Sequence, residues 1–270
     1  MIGLAIGLAC SSAVFHAAWN LRLKAAEDPL RAAAVAVPVG AALVTPPAAV
    51  LWLLSGRPGL SLESWTVAVL SGGVELAYFH TLSEAYRRGE VSSVYPVARG
   101  TAPVLAATIG LFVLGERMVV LQAAGVAVLI AGIWMAGPPV GRGPALVHAL
   151  LTGALIATYQ SIDAVGVHLG PWWLYAWEVL VCRSLWLLPW ARRGSLRDAV
   201  PAGLSTTVAY SMVLAALSLA PLALVAPLRE TGVVLVGLWG VLRMGERRGA
   251  PFKLGGAVAV LAGAAILAVH

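Results

Sequence analysis

Charge is what this chain has least of. Of its 270 residues only 11% are Asp, Glu, Lys or Arg and 60% are hydrophobic. Soluble domains carry about 25% and roughly 45–50% respectively. A soluble core cannot absorb that much apolar surface, so the deficit excludes a water-soluble globular protein and makes lipid the solvent. The mean hydropathy of +0.89 agrees. In a soluble chain the net charge of +6 would point to nucleic acid. Here the basic residues sit in short loops between apolar runs, where the positive-inside bias accounts for them and no nucleic-acid role follows. Cysteine is scarce too. Cys10 and Cys182 both lie inside hydrophobic segments, which leaves neither a disulfide framework nor a metal site. Walker A, HExxH and GxSxG motifs are missing, as are haem and metal-ligand clusters and any paired catalytic constellation. Neither a cofactor nor an enzymatic activity is therefore expected. No basic n-region precedes the first apolar run and no convincing small-residue cleavage site follows it, so that run reads as a retained helix.

What is present is apolar length. A spanning helix needs about 20 mainly apolar residues, and the chain offers ten such stretches: 2–23, 32–54, 65–86, 91–114, 118–137, 145–165, 171–190, 199–219, 221–243 and 252–269. The breaks carry recognisable chemistry, such as Glu27-Asp28-Pro29, Ser55-Gly56-Arg57-Pro58-Gly59, Arg87-Arg88-Gly89-Glu90 and Arg192-Arg193-Gly194. Gly137-Pro138-Pro139 divides the chain into halves, 1–137 and 145–270. Tryptophans 52, 65, 172, 173 and 190 cluster near helix ends, as an interfacial belt requires.

The stretch Val91 to Arg117 occurs twice. Shifted by 130 positions, Arg99 falls on Arg229, Thr101 on Thr231, Gly115-Glu116-Arg117 on Gly245-Glu246-Arg247, and Gly125 on Gly255. Pro96 nearly meets Pro227. Internal repeats govern the whole fold. Five helices per copy is an odd number, so the copies must run in opposite senses. The fold expected is all-α and integral to the membrane, with ten transmembrane helices in two inverted five-helix repeats. Secondary transporters of this kind bind substrate near the midplane, at paired proline-interrupted helices. Loops after odd-numbered helices hold thirteen of the basic residues, from Arg22 and Lys24 to Arg248 and Lys253, while loops after even-numbered helices hold only Arg57 and Arg117. That tally predicts both termini outside the cytoplasm.

A charge at the bilayer centre costs roughly 2.5–3.5 kcal/mol on insertion scales, so intramembrane charges face a cavity or a partner. Arg99 and Arg229 are candidates to hold a carboxylate or phosphonate in a guanidinium fork. The structural alternative is an ion pair with a neighbouring helix. Glu230 follows Arg229, and adjacent helical residues do not face one another, so it needs another partner or a proton. Glu75, mid-way along the third helix, reads as a proton-linked carboxylate or as the counter-ion of Arg99. Glu178 shares a face with Cys182 and reads as a partner of Arg229 or Arg183. His16 with Asn20, and Tyr159 with Asp163, stand at i, i+4 in corresponding helices. They line a pathway or make interhelical hydrogen bonds, which average about 0.6 kcal/mol in membranes. His80, which aligns with Tyr210, is a weaker candidate, also placed at i, i+4 from Glu84. Tyr78, Phe79, Tyr86, Tyr95 and Trp239 are candidates to wall the cavity, with plain packing as the alternative.

The double Gly-Glu-Arg, the following Gly125 and Gly255, and the proline-bearing fourth and ninth helices resemble the drug/metabolite transporter superfamily in its ten-helix, EamA-type form. The resemblance covers essentially the whole chain. His16-Ala17-Ala18-Trp19-Asn20, Tyr95 to Gly100 and Tyr159-x-x-x-Asp163 look like one subgroup, some of whose members are connected with phosphonate use. What the resemblance implies is an alternating-access exporter of a small polar metabolite, such as an amino acid or organic anion, in the bacterial inner membrane. With no nucleotide-binding motif, coupling to an ion gradient, with protons carried on Glu75, or plain facilitated exchange is expected, with no cofactor, in a monomer or weak homodimer. A multidrug or organic-cation exporter, or a flippase of phosphate-bearing lipid, is the alternative. Relatives are usually drawn with cytoplasmic termini, against the charge tally. The first-helix glutamate of small multidrug transporters is replaced here by His16 and Asn20, which favours an anionic or zwitterionic substrate.

Overall fold

The structure, a computed structural model, describes residues 1–88, 91–136, 143–191, 196–235 and 250–268. Among the described residues there are ten helices: α1 (Ile2–Ala25), α2 (Pro29–Leu54), α3 (Leu62–Arg88), α4 (Val91–Phe112), α5 (Val120–Ala136), α6 (Pro144–Gly166), α7 (Trp172–Leu187), α8 (Leu196–Leu217), α9 (Leu222–Arg229) and α10 (Ala250–Ala268). A single 3₁₀ turn, Leu188–Trp190, follows α7. Four stretches are long and apolar enough to cross a membrane by length and composition: Ile2–Leu23, Pro29–Leu54, Pro144–Gly166 and Arg197–Leu217. Val97–Phe112, Val120–Met135 and Leu254–Leu267 are shorter apolar helical stretches. The dividing Gly137-Pro138-Pro139, the Arg192-Arg193-Gly194 break, Trp239, Arg243 and the second Gly-Glu-Arg lie outside the described residues.

Helix starts follow local chemistry. Asp28 caps α2, its Oδ1 accepting from the backbone N–H groups of Leu30 (3.1 Å) and Arg31 (3.2 Å), with Pro29 in the first helical position. Proline fits there because that N–H has no intrahelical partner to lose. Pro38, Pro46 and Pro47 stand inside α2, tolerated because packed neighbours hold the helix together.

Small residues set the interfaces. A Cβ on Gly132 of α5 would lie 2.7 Å from the Val260 nitrogen of α10, and one on Gly263 would lie 2.6 Å from the Leu129 nitrogen of α5. Gly40 of α2 and Gly203 of α8 face each other as closely. Backbones that touch in this way gain dispersion contact without a hydrophobic drive, the usual mode of association in lipid. The helix pairs form an orderly set: α1 packs on α8 and α9, and correspondingly α6 packs on α3 and α4. The pairs α2·α8 and α7·α3 correspond likewise, while α2·α7, α4·α9 and α5·α10 map onto themselves.

The distribution of polarity is inverted relative to a soluble protein. Leu54, Leu62, Phe112, Val120, Phe252 and Val258 are exposed, whereas Glu75, Arg99, Asp163, Arg183, Arg229 and Glu230 are buried. Continuous outward apolar surface with ionised groups inside is stable only where the surroundings are hydrocarbon.

The ninth helix departs from the continuous span expected over 221–243. α9 ends at Arg229, and a second helical piece begins at 232. Around the break the N–H groups reach back only three residues, Glu230 to Pro227 (3.0 Å), Thr231 to Leu228 (3.2 Å) and Val233 to Glu230 (3.0 Å). Pro227, inside α9, lacks the N–H that would reach the Ala223 carbonyl, which weakens the turn just before the break. Gly232 then lies against the α1 backbone, where a Cβ would be 2.8 Å from the Ala13 oxygen.

A candidate substrate site at the broken helix

The break in α9 turns two consecutive charged residues into the centre of the bundle. Glu230 accepts from Arg99 Nη1 of α4 at 3.1 Å on each of its carboxylate oxygens. Arg229 Nε stands 3.5 Å from the same carboxylate. Regular helix geometry would keep neighbouring side chains apart, so the expectation that Arg229 and Glu230 do not face one another is corrected by the break. Arg229 also donates to the Tyr159 hydroxyl of α6 (3.1 Å), with its guanidinium 5.9 Å above that ring.

Asp163, one turn on from Tyr159, is held by hydroxyls alone among the described contacts. Its Oδ1 accepts from Ser71 (2.6 Å) and Tyr175 (2.9 Å), and its Oδ2 from Tyr210 (2.5 Å). Three hydroxyls thus converge on one carboxyl group. Tyr210 is shared, for the Arg183 guanidinium of α7 lies 4.6 Å over its ring. Arg183 Nη1 in turn stands 3.5 Å from Glu75 Oε1.

Glu75 is thus the partner of Arg183 and not the counter-ion of Arg99. The reason is packing: α3 lies along α6 and α7 and scarcely touches α4. Glu178 also departs from expectation. It pairs with neither arginine but accepts a hydrogen bond from the Ser64 hydroxyl. Five residues separate Glu178 from Arg183, which turns it about 140° round α7. Ser64 is three turns of α3 from Glu75, so Glu178 stands apart from the central cluster. His80 stands apart as well. Its ring meets Trp190 edge-on at 4.8 Å and its Nδ1 lies 3.1 Å from the Leu76 carbonyl. Glu84 binds Arg87 and Arg88 instead of His80.

His16 and Asn20 are both buried in α1, with the Asn20 amide donating to the His16 carbonyl at 2.7 Å. Tyr78 stacks edge-on to Tyr159 at 5.9 Å and tilts against Phe79 at 4.9 Å. The side chain of Tyr95 lies outside the described residues. Four members of the cluster were not among the sequence candidates for the site: Arg183, named there only as a partner for Glu178, Tyr210, named only as the counterpart of His80, and Ser71 and Tyr175. An arginine in an apolar helix was the available signal for Arg183. Ser71 and Tyr175 carried none, because hydroxyls are common in membrane helices.

The cluster balances Arg99, Arg183 and Arg229 against Glu75, Asp163 and Glu230. It is not saturated. Arg183 Nε and Nη2, Arg229 Nη1, Glu75 Oε2, His16 Nε2, Asn20 Oδ1 and both amide atoms of Gln160 are buried with no hydrogen-bond partner. Each such group costs about 1–3 kcal/mol to leave unsatisfied, and more when charged. Donors and acceptors held ready in one place are what a polar ligand requires.

A polytopic helical bundle with a charged, incompletely satisfied centre beside a discontinuous helix defines the class of membrane transport proteins. The family model described as the EamA-like transporter family matches residues 3–137. The chain belongs to that family, a multi-pass membrane transporter of the drug/metabolite type. A solved crystal structure is similar to it in fold, with TM-score 0.72 at 16% identity over 97% of each chain. None of the curated proteins matches it in sequence.

Proposed function

We propose that this chain is a secondary transporter that moves a small anionic or zwitterionic metabolite, such as an amino acid, by alternating access between two inverted repeats, 1–137 and 145–270. The observation that carries this is the set of unpartnered N–H groups on Arg229, at the opened α9 backbone, and on Arg183, beside Tyr210 and Glu75. An incoming carboxylate satisfies those donors, and an amino group has Glu75 Oε2 within the same cluster to meet. Arg99 orients the anion indirectly, by fixing the Glu230 carboxylate that also faces Arg229. Tyr159, Asp163 and Tyr78 shape the floor, and His16 and Asn20 supply the α1 wall. Because three cations already face three carboxylates, a bound anion adds uncompensated charge in oil. Taking up a proton on Glu75 restores the balance, which makes this residue the coupling group. The excess of basic residues in the connections after odd-numbered helices supports termini outside the cytoplasm of a bacterial inner membrane.

A thermal-shift panel on purified protein tests the substrate class, since a ligand that binds the folded form raises its apparent stability. Amino acids or small carboxylates are expected to stabilise the wild type and to leave Arg229→Met unaffected. Stabilisation by organic cations alone overturns the reading.

A further inference from the structure

The Gly-Glu-Arg triplet after α4 has no part in the central cluster, yet it is built with care. Gly115 has φ +68, a left-handed turn that costs a residue with Cβ about 1–2 kcal/mol. The turn folds the chain back so that the Glu116 N–H meets the Gly110 carbonyl at 2.9 Å. Gly110 must itself stay bare, because a Cβ there would collide with the Glu116 carboxylate. That carboxylate is thereby delivered to the start of α9. Its Oε1 accepts from the Leu222 N–H at 2.6 Å and its Oε2 from the Ala223 N–H at 2.8 Å. A carboxylate on the first free N–H groups of a helix is a strong, dipole-assisted cap. This one crosses from the first half of the chain to the helix that carries Arg229.

The opposite end of the bundle is differently made. Helices joined in sequence alternate in direction, so the α4–α5 and α8–α9 connections share one end, and the α1–α2 and α7–α8 connections share the other. At that other end a cavity of about 620 Å³ opens between α1, α2 and α8, lined by Trp19, Arg22, Arg31, Asp198 and Ala199 among others. One end is clasped by Glu116, and the other holds a cavity lined in part by charged residues.

We propose that Glu116 is a gating residue: its cap on α9 latches one end of the transporter shut and must break before that end opens. This rests on the alternating-access reading above, and its test needs no substrate. In a background with Cys10→Ala and Cys182→Ala, single reporters are placed at Ala226→Cys, one turn inside α9, and at Ala199→Cys, in the cavity at the far end. Both are read by their labelling rates with a charged maleimide. Glu116→Gln keeps the size but turns one of the two acceptors into a donor. Losing one charge-assisted hydrogen bond is expected to shift the balance roughly tenfold. Labelling at 226 should rise by that factor while labelling at 199 falls, and Glu116→Asp should return part of both changes. If both positions label faster together, Glu116 merely holds the fold and the proposal is wrong. If neither rate moves, it is equally wrong, and in both cases the substrate panel still judges transport separately. Should Glu116→Gln not fold, the native glutamate suffices. Once maleimide is attached at 226, hydrogen exchange of the Leu222 and Ala223 amides should accelerate, and retained protection overturns the latch.

Discussion

Removing either end of the Arg99–Glu230 pair should not cost the same, and the inequality tests the site's geometry. Both residues are buried, at 4% and 2% exposure. Breaking a buried pair by deleting one partner typically costs ~3–5 kcal/mol, because the survivor is left charged in a poor solvent. In Arg99→Ala the surviving Glu230 keeps Arg229 Nε at 3.5 Å, so the loss should lie near the lower bound, about 3 kcal/mol. In Glu230→Ala two guanidinium groups lose the carboxylate they share and repel each other, so the loss should approach about 5 kcal/mol. The double variant removes both charges and leaves Arg229 with the Tyr159 hydroxyl. It should therefore be less damaged than the sum of the single variants by at least about 2 kcal/mol, well beyond the ~0.5 kcal/mol expected of independent sites. Thermal unfolding of the detergent-purified proteins, followed by the fluorescence of the ten tryptophans, reads this. At roughly 2–4 °C per kcal/mol, Arg99→Ala should melt some 6–12 °C below the wild type. Transport should be lost in Arg99→Ala and stay lost in the double variant. Additive losses, or equal losses in the two single variants, would refute the shared-carboxylate arrangement. Normal transport by Arg99→Ala would remove this residue from the site.

Three further outcomes follow from the same structure. Asp163→Asn replaces an acceptor of three hydroxyl donors by a group that is itself a donor; a loss of about 2 kcal/mol is expected, read as a lowered Tm, and Tyr210→Phe should lose less. Gly132→Leu drives a side chain into the α10 backbone, where even a Cβ sits 2.7 Å from the Val260 nitrogen; overpacking by one or more methylenes costs typically 1–3 kcal/mol, and broadened unfolding or loss of monodispersity on size-exclusion chromatography checks it. Glu75→Gln should abolish substrate-driven pH change in proteoliposomes while leaving the thermal shift produced by bound substrate; undiminished proton movement would exclude Glu75 as the coupling group.

Helix existence and the membrane class were plain from residue order, because apolar runs of sufficient length have one stable solution in lipid. The charged residues inside those runs were equally visible: Arg99, Arg229, Glu230, Glu75 and Asp163 all reach the cluster. Their pairing was not. Chain order offers Arg99 as one partner for Glu75 because their helices are neighbours in sequence, but α3 turns that face to α7. Glu178 was assigned to an arginine and found Ser64. His80 was carried into the site by its alignment with Tyr210, yet only the tyrosine faces Asp163. The two repeats are also less equal than their alignment suggests. Arg99 and Arg229 correspond, but Glu230 corresponds to Gly100, where a Cβ would press on Trp134 at 3.0 Å. One carboxylate therefore serves both arginines.

By itself the sequence determined the solvent, the helices and the identity of the groups placed in oil, since each follows from the transfer energy of side chains taken one at a time. Only the tertiary structure decided which acid meets which base, that α9 opens at Glu230, and that Glu116 reaches across to cap it. Those outcomes depend on how far each helix is rotated about its axis and on where a backbone is interrupted. Such quantities are set by contacts between distant segments, and no local periodicity records them.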